Sequence, residues 1–549
     1  MAHQKSIFPV RLPGLDEVVA DPSLQGLKGA NLIRMAGLGL PVPPAFVIST
    51  SVGHKITSET NSLPVEVTQS IRETVGLLEQ ETGRTFGGGE SPLLLAVRSG
   101  AAVSMPGMMD TILNLGLTRE SVARLAAETG SARFAWDNFR RFIQSFATVV
   151  HDLDADQFED ILFDRREAHG VDSDSDLSAE TIEEIALSFL EIYDELAGHA
   201  FPDDVWDQLD QALLGVFRSW NTPRASHYRA MHNLADDLGT AAVVQAMVFG
   251  NRDENSCTGV YFTRNPSSGE PLPFGEYMPV AQGEDVVSGI RTPLELTQAG
   301  RLNAFSEQPS FEETNPQLYK QLLEIGAQLE GHYGDMQEIE FTVESGKLYV
   351  LQTRTGKRNA NASLRIAVDL VDEGVLSTQQ ALAMVDARTV EAQLVGRVDI
   401  KTAGKALLKG LPASPGAATG AIVFSSDDAV ASAQEGRGCI LVRAETDPKD
   451  IAGMDAAVGI LTSRGGMTSH AAVVARSMGK PCITAAMALK IDRNNRTCTA
   501  MGQTLAAGDT ITIDGASGFV YPGEVPITVP EPMGALQRVL EWKAQSGSA

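Results

Sequence analysis

Residues 460–484 read ILTSRGGMTSHAAVVARSMGKPCIT. The apolar ILT is a short strand that Gly465-Gly466 ends, and Thr468 or Ser469 can N-cap a helix running from Ala471 to Met478. Gly479 suits the position just past the helix, and Pro481 lies beyond the stop. His470 therefore falls in the first turn of a helix. The partial positive charge there disfavours imidazolium and leaves a neutral, nucleophilic ring. The free N–H groups of the same turn can bind a phosphoryl group that the ring acquires. An isolated His also has a plainer reading, a buried ring satisfied by a backbone carbonyl. The glycine pair, the hydroxyls at 468 and 469 and the helix start together point to the nucleophile.

Working outward, residues 405–525 form a compact β-rich unit whose short strands, such as CILVR, VGILT and TITID, are punctuated by glycines. Upstream lies MQEIEFTVESGKLYVLQTRTGKR, residues 336–358. Alternation puts Glu338 and Glu340 on one strand face and Ile339 and Phe341 on the other. The returning strand presents Gln352 and Arg354 on one face. Two carboxylates with an amide oxygen suit Mg²⁺, and Arg354 with Lys357 suits phosphate. The alternative is a solvent-facing edge hairpin with ordinary ion pairs. For all four residues to share a face, paired residue numbers must sum to an even value. The sequence therefore predicts a three-residue loop, Glu344 to Gly346, or an equivalent bulge, setting Glu338 opposite Gln352.

A third segment, VRSGAAVSMPGMMDT at residues 97–111, is rich in Gly, Ala and Ser, so its N–H groups can approach phosphate oxygens closely. Arg98 enters it, and Lys28, between Gly26 and Gly29, can join it. It matches neither the P-loop nor the kinase glycine pattern. Read as a plain surface turn, it would use Met105, Met108 and Met109 only for local packing. Residues 118–235 read as mainly helical, with Phe134, Trp136, Phe139, Phe142 and Phe146 at helical spacing. Within them the acidic, Ser-rich stretch 152–186 reads as solvated surface and lacks the spacing of a calcium loop.

The 549 residues carry 44 Lys and Arg against 70 Asp and Glu, a formal net charge of −26. That field repels nucleic acid and anionic membranes, so an anionic substrate needs a local basic pocket. The 43% apolar and 21% charged fractions are those of a globular protein. No apolar run approaches the roughly 18 residues of a membrane span. The start, MAHQKSIFPVRLPGL, has no apolar core of a secretory signal, so a cytoplasmic location is expected. The four cysteines form no Cys-x-x-Cys pair, which argues against a zinc cluster or a disulfide scaffold.

LKGANL, VRSGAAVSMPGMMDTILNLGL, VFRSWNTPRA, CTGVYFTRNPSSGE, AQGEDVVSGIRTP, QEIEF…LQTR and RGGMTSHAAVVAR occur in that order. Over residues 8–525 the chain resembles the N-terminal and central parts of the pyruvate phosphate dikinase family. The resemblance implies an α/β and α+β multidomain fold, with an ATP-grasp nucleotide-binding domain and its helical insertion followed by a swivelling β/β/α phosphohistidine domain. The corresponding bounds are 1–117 and 236–358 for the two ATP-grasp lobes, 118–235 for the insertion, 359–404 for a helical connector, 405–525 for the phosphohistidine domain and 526–549 for a tail. The connector is expected to be exposed and hinge-like, because His470 must travel between sites.

Carried over by position, the resemblance implies ATP and Mg²⁺ as ligands and inorganic phosphate as co-substrate. Lys28 and Arg98 would hold ATP phosphates, and the loop with Gly100, Ala101, Ser104, Met105 and Thr111 would cover them. Gln245, Met247 and Val248 would lie along adenine through backbone groups, and Glu276 and Gln282 would join the nucleotide site. Glu338, Glu340 and Gln352 would bind the metal, Arg354 the phosphate, and His470 would be phosphorylated. Two positions depart from the family pattern, Glu338 where Asp is usual and Leu27 where glycine is usual. The stretch 526–549 is too short for the family's pyruvate- and phosphoenolpyruvate-binding barrel, so a separate acceptor protein is expected. The function expected is ATP- and phosphate-dependent phosphorylation of His470; a slow or inert nucleotide sensor is the alternative.

Overall fold

Alternating apolar strands separated by caps and glycines assemble into two compact units in the computed structural model. One unit is Met1–Arg252 with Tyr349–Gln352, and the other is Asp253–Leu348 with Thr353–Ala549. The structure describes residues 6–13, 18–56, 62–103, 105, 107–171, 173–288, 292–385, 396–399, 402–492, 495–528 and 534–546.

The first unit is built on a five-stranded antiparallel sheet in the order Ile7–Val10, Ala45–Ile48, Thr240–Ala246, Leu95–Ala101, Thr111–Leu115. The strand arriving last, Thr240–Ala246, takes the centre and is buried throughout. Between Leu115 and Thr240 the chain is helical, as its periodicity predicts. Phe134, Phe139, Phe142 and Phe146 of helix Ala132–His151 enter one core with Phe189, Tyr193 and Phe201, while Trp136 packs at its margin. The acidic stretch expected to be merely solvated does more. Asp174 pairs with Arg140 at 2.8 Å and with Arg166 at 3.2 Å, because Arg140 is buried with Asp137 and needs a second counter-charge.

The second unit holds two larger sheets. One runs Leu294–Glu295, Phe274–Pro279, Cys257–Phe262, Gln337–Glu344 and the two ends, Lys347–Leu348 and Thr353–Thr355, of strand Lys347–Thr355 that belong to this unit. The other has eight strands, with Ala417–Val423, Cys439–Arg443, Gly459–Thr462 and Cys482–Thr484 parallel at its heart. Helices Ser426–Gln434, Ile451–Ala456 and His470–Met478 make the crossovers, and antiparallel strands close both sides. The segment expected as an exposed connector is exposed at 372–375 and 377–380 but packed along its helices. Helices Ala360–Asp372 and Thr378–Met384 bury Leu364, Ala367, Val368 and Ala381 against Leu536 and Val539 of helix Ala535–Ser546. Their apolar stripes needed a partner, and the tail supplies it. Residues 386–395, also within that segment, lie outside the described residues.

All four cysteines are buried and unbridged. Burial holds the Cys257 and Cys482 thiols up at about 12, so neither is a reactive thiolate. Among the described residues no helix is long and apolar enough to cross a membrane.

Candidate functional site

The strand Gly459–Thr462 feeds a loop that places His470 at the first position of helix His470–Met478. Ser469 is the N-cap, and Gly479 ends the helix in the left-handed conformation. The His470 ring is held at about 4, below the usual imidazole range, by burial, against an opposing pull from Asp447. It is therefore neutral at pH 7, with burial as the main cause rather than the helix end alone. Its Nε2 has no hydrogen-bond partner among the described residues, which removes the plainer reading of a ring satisfied through that nitrogen.

Two buried charged groups hold the loop before His470. Glu276, expected in the nucleotide site, instead accepts hydrogen bonds from the Met467 N–H at 3.1 Å and the Thr468 hydroxyl at 2.9 Å. A Cβ at Gly466 would lie 2.5 Å from Glu276 Oε1, so a side chain there would push the loop off its carboxylate. Arg476, buried on the histidine helix, donates to the Met467 carbonyl at 2.6 Å and to the Ala413 carbonyl at 3.1 Å. The sequence reading missed Arg476. A lone arginine inside the apolar run HAAVVARSM was the available signal, since a cation on a buried helix face needs acceptors.

Strand register places Glu276 in an acidic row. Glu295 is opposite Glu276, Glu276 opposite Val260, and Val260 opposite Glu340. Residues directly opposite share a face, so Glu295, Glu276 and Glu340 lie on one side of the sheet, and Glu338 joins them two residues along its strand. Burial, with Glu276's charge adding to it, lifts Glu295 to about 7. A carboxyl raised on folding contributes stability that is present below its unfolded value and lost as pH rises through about 7. Glu295→Gln is thus expected to raise the melting temperature by about 2–4 °C at pH 8 and to change it little at pH 4.5, as read by thermal scans at both values.

The hairpin carrying Glu338 and Glu340 departs from expectation at its tip. Strands Gln337–Glu344 and Lys347–Thr355 leave a two-residue turn, Ser345-Gly346, with φ of 47° and 78°. The left-handed Ser345 is held by its own bonds: its N–H donates to Ser256 Oγ at 2.9 Å and its hydroxyl to Asp253. Such a turn sets Glu344 against Lys347. At the base, the Gly356 N–H donates to the Met336 carbonyl at 3.1 Å, a pairing shifted by one residue. An extra residue in the returning strand therefore restores the even register, and Glu338 meets Arg354 rather than Gln352 in an ion pair. Glu338 Oε2 stays buried without a hydrogen-bond partner, and burial together with Arg354 lowers Lys357. Hard oxygens and an orphaned carboxylate oxygen fit Mg²⁺ at Glu338 and Glu340. Among the described residues no three His, Cys, Asp or Glu converge as a metal cluster.

In the first unit Gln352 belongs with Arg98, which donates to Gln352 Oε1 and the Leu351 carbonyl, each at 3.2 Å, and to Gln245 Oε1 at 3.4 Å. Gly26 interrupts helix Pro22–Gly37 with φ 65° and ψ 165°, and a Cβ there would lie 1.8 Å from the Gly100 carbonyl oxygen. That approach brings the Lys28 stem beside Gly100, 3.5 Å from where its Cβ would be. Gly100 and Ala101 end their strand opposite Ala241 and Thr240, and Thr111 pairs with Arg98. Met105 is buried, and Asp110 at the end of the loop pairs with Arg224; Ser104 lies outside the described residues.

The residues expected along adenine are partly engaged in the sheet. Gln245 sits in the central strand between Ala45 and Ala96, and the Met247 N–H donates to the Leu94 carbonyl at 2.9 Å, which leaves Val248 as the first residue beyond these sheet bonds. Gln282 is buried, and its N–H is bonded to Asp285 Oδ2 at 2.9 Å, fixing the start of helix Gly283–Ser288.

Residues 59–314 and 303–374 match the family described as the pyruvate phosphate dikinase AMP/ATP-binding domain, and residues 435–518 match the PEP-utilising enzyme mobile domain. The chain is 49% identical over 517 residues to pyruvate, phosphate dikinase of Rhizobium meliloti, covering 94% of this chain and 58% of that one. Against the Clostridium symbiosum enzyme it is 46% identical, covering 95% and 58%. Against pyruvate, phosphate dikinase 1, chloroplastic, of Zea mays it is 44% identical, covering 94% and 54%. The chain thus spans little more than half the length of these relatives. Lys28, Arg98 and Gly100 gathered in one unit, and a half-buried, neutral histidine heading a helix in the other, are features of a chain that belongs, over more than half its length, to the pyruvate phosphate dikinase family.

Proposed function

We propose that the chain performs the nucleotide half of a dikinase reaction: ATP, inorganic phosphate and His470 give AMP, pyrophosphate and phosphohistidine. The observation that carries this is His470 itself, neutral through burial, heading a helix, with Nε2 unpartnered. Nε2 would form the bond to the β-phosphorus while the β-phosphorus–oxygen bond toward the α-phosphate breaks, its electron pair leaving with AMP. An oxygen of inorganic phosphate would form the bond to the γ-phosphorus as the β–γ bridge breaks, so that pyrophosphate departs and one phosphoryl stays on His470. Lys28 and Arg98 of the first unit would hold and neutralise phosphates, under an ATP-grasp arrangement with the 100–111 loop as cover. Glu338 and Glu340 of the second unit would hold Mg²⁺, which supplies charge neutralisation to the transferring phosphates.

In this reading the 405–525 unit swivels, Glu276 and Arg476 grip the histidine loop in one of its positions, and the eventual acceptor is pyruvate, as the relatives' names suggest. The Glu338–Arg354 ion pair favours the second reading, a nucleotide sensor that turns over slowly or not at all, because it occupies one oxygen of the proposed metal ligand. Incubation with [β-³²P]ATP, Mg²⁺ and phosphate separates the two. Acid-labile, base-stable label on the protein with release of AMP is expected; ATP binding without label or AMP is the sensor's result.

A further inference from the structure

Next to His470 in the chain, and next to the Asp447 that acts on its ring, are buried polar atoms that the fold does not satisfy. Thr446 is 4% exposed and Ser469 5%, and neither Thr446 Oγ1 nor Ser469 Oγ has a hydrogen-bond partner among the described residues. Ser469 stands at the N-cap, yet its side chain makes no capping bond. The turn carrying Thr446 is fastened to the loop leading to His470. The N–H groups of Ser463 and Arg464 donate to the carbonyls of Arg443 and Ala444 at 3.1 and 2.9 Å. Asp447, next in that turn, is the charged group that acts on the His470 ring, and its own carboxylate is engaged by the Lys449 N–H at 2.6 Å. Glu445 in the same turn is offset by Arg464 at 3.9 Å. An unpaired buried hydroxyl is costly, so two of them, together with the unpartnered His470 Nε2, signal a group that arrives later. Two unpaired hydroxyl donors, one next to Asp447 and one next to the nucleophile in sequence, call for an anion with several acceptor oxygens.

We infer that the hydroxyls of Thr446 and Ser469 receive the phosphoryl oxygens once His470 Nε2 carries the group, and so act as its positioning residues. This rests on the phosphohistidine reading and deepens it by naming what holds the group. The hydroxyls donate hydrogen bonds and lose no proton; the only bonds exchanged are the new bond from Nε2 to phosphorus and the phosphorus–oxygen bond to the donor.

The test uses the full chain with two donors: [β-³²P]ATP with phosphate, and potassium phosphoramidate, which phosphorylates histidine without any nucleotide site. Thr446→Val and Ser469→Ala are each expected to shorten the phosphohistidine half-life at pH 7 and to slow labelling by ATP about 10-fold, with ATP affinity unchanged. Thr446→Ser should restore both, a rescue that a merely packing role for the side chain would not produce. Wild-type half-lives in phosphoramidate-treated Thr446→Val and Ser469→Ala would overturn the inference, as would failure of phosphoramidate to phosphorylate His470. A wild-type chain labelled by phosphoramidate but not by ATP would instead count against the nucleotide reaction and leave this inference standing on the half-lives.

Discussion

His470→Asn is expected to reduce protein labelling from [β-³²P]ATP to background while changing ATP affinity by less than about twofold, because asparagine offers no nucleophilic nitrogen and the ring is not the nucleotide clamp. The asparagine keeps a polar group of similar size at the head of the helix, so the grip of Glu276 and Arg476 on Met467 and Thr468 should survive. Equilibrium dialysis with ATP and a labelling time course check the two halves. With the ring held at about 4, His470 stays neutral from pH 5 to 8, and its own titration should leave no inflection in the labelling rate across that range.

Gly26→Ala is expected to abolish ATP binding and to destabilise the first unit by about 3 kcal/mol or more. Two costs add. The backbone at φ 65°, ψ 165° lies in a region essentially closed to residues with a Cβ, and that Cβ would sit 1.8 Å from the Gly100 carbonyl oxygen. Neither the helix nor the strand can yield cheaply. The strand Leu95–Ala101 is paired on both sides, and the segment after Gly26 is anchored by buried Ala30, Leu32 and Ile33. Relieving the clash would carry Lys28 away from Gly100. Gly37→Ala is the matched control, since a Cβ at Gly37 meets nothing within 4 Å. Thermal unfolding and nucleotide binding of both variants give the comparison.

Local signals were legible where the chain itself completes the motif. The helix after Gly465-Gly466, with His470 in its first turn and Gly479 past its end, and the alternation of Glu338 and Glu340 follow from spacing alone and are found, the helix starting one residue earlier than read, at His470 rather than Ala471. What could not be read was set by partners distant in sequence. The Ser345-Gly346 turn is two residues long because Asp253 and Ser256, some ninety positions away, hold Ser345 in a left-handed conformation. Glu276 and Arg476 look unrelated in the sequence, yet they grip one loop, because strand and helix bring their charges to the same buried place. The helices after Asn359 read as polar and exposed because their cover, Leu536 and Val539, lies more than 150 residues onward. Thr446 gave no sign of its part, since only hydrogen bonds between two loops fasten its turn to the segment leading to His470.

The central claim is that His470 keeps the β-phosphoryl group of ATP. The most direct measurement compares protein labelled by [β-³²P]ATP and by [γ-³²P]ATP under the same conditions, with Mg²⁺ and inorganic phosphate, followed by mapping of the modified residue. Label is expected from the β-position, none retained from the γ-position, and a single modified residue, His470. Stable label from the γ-position, or β-label on any other residue, would contradict it.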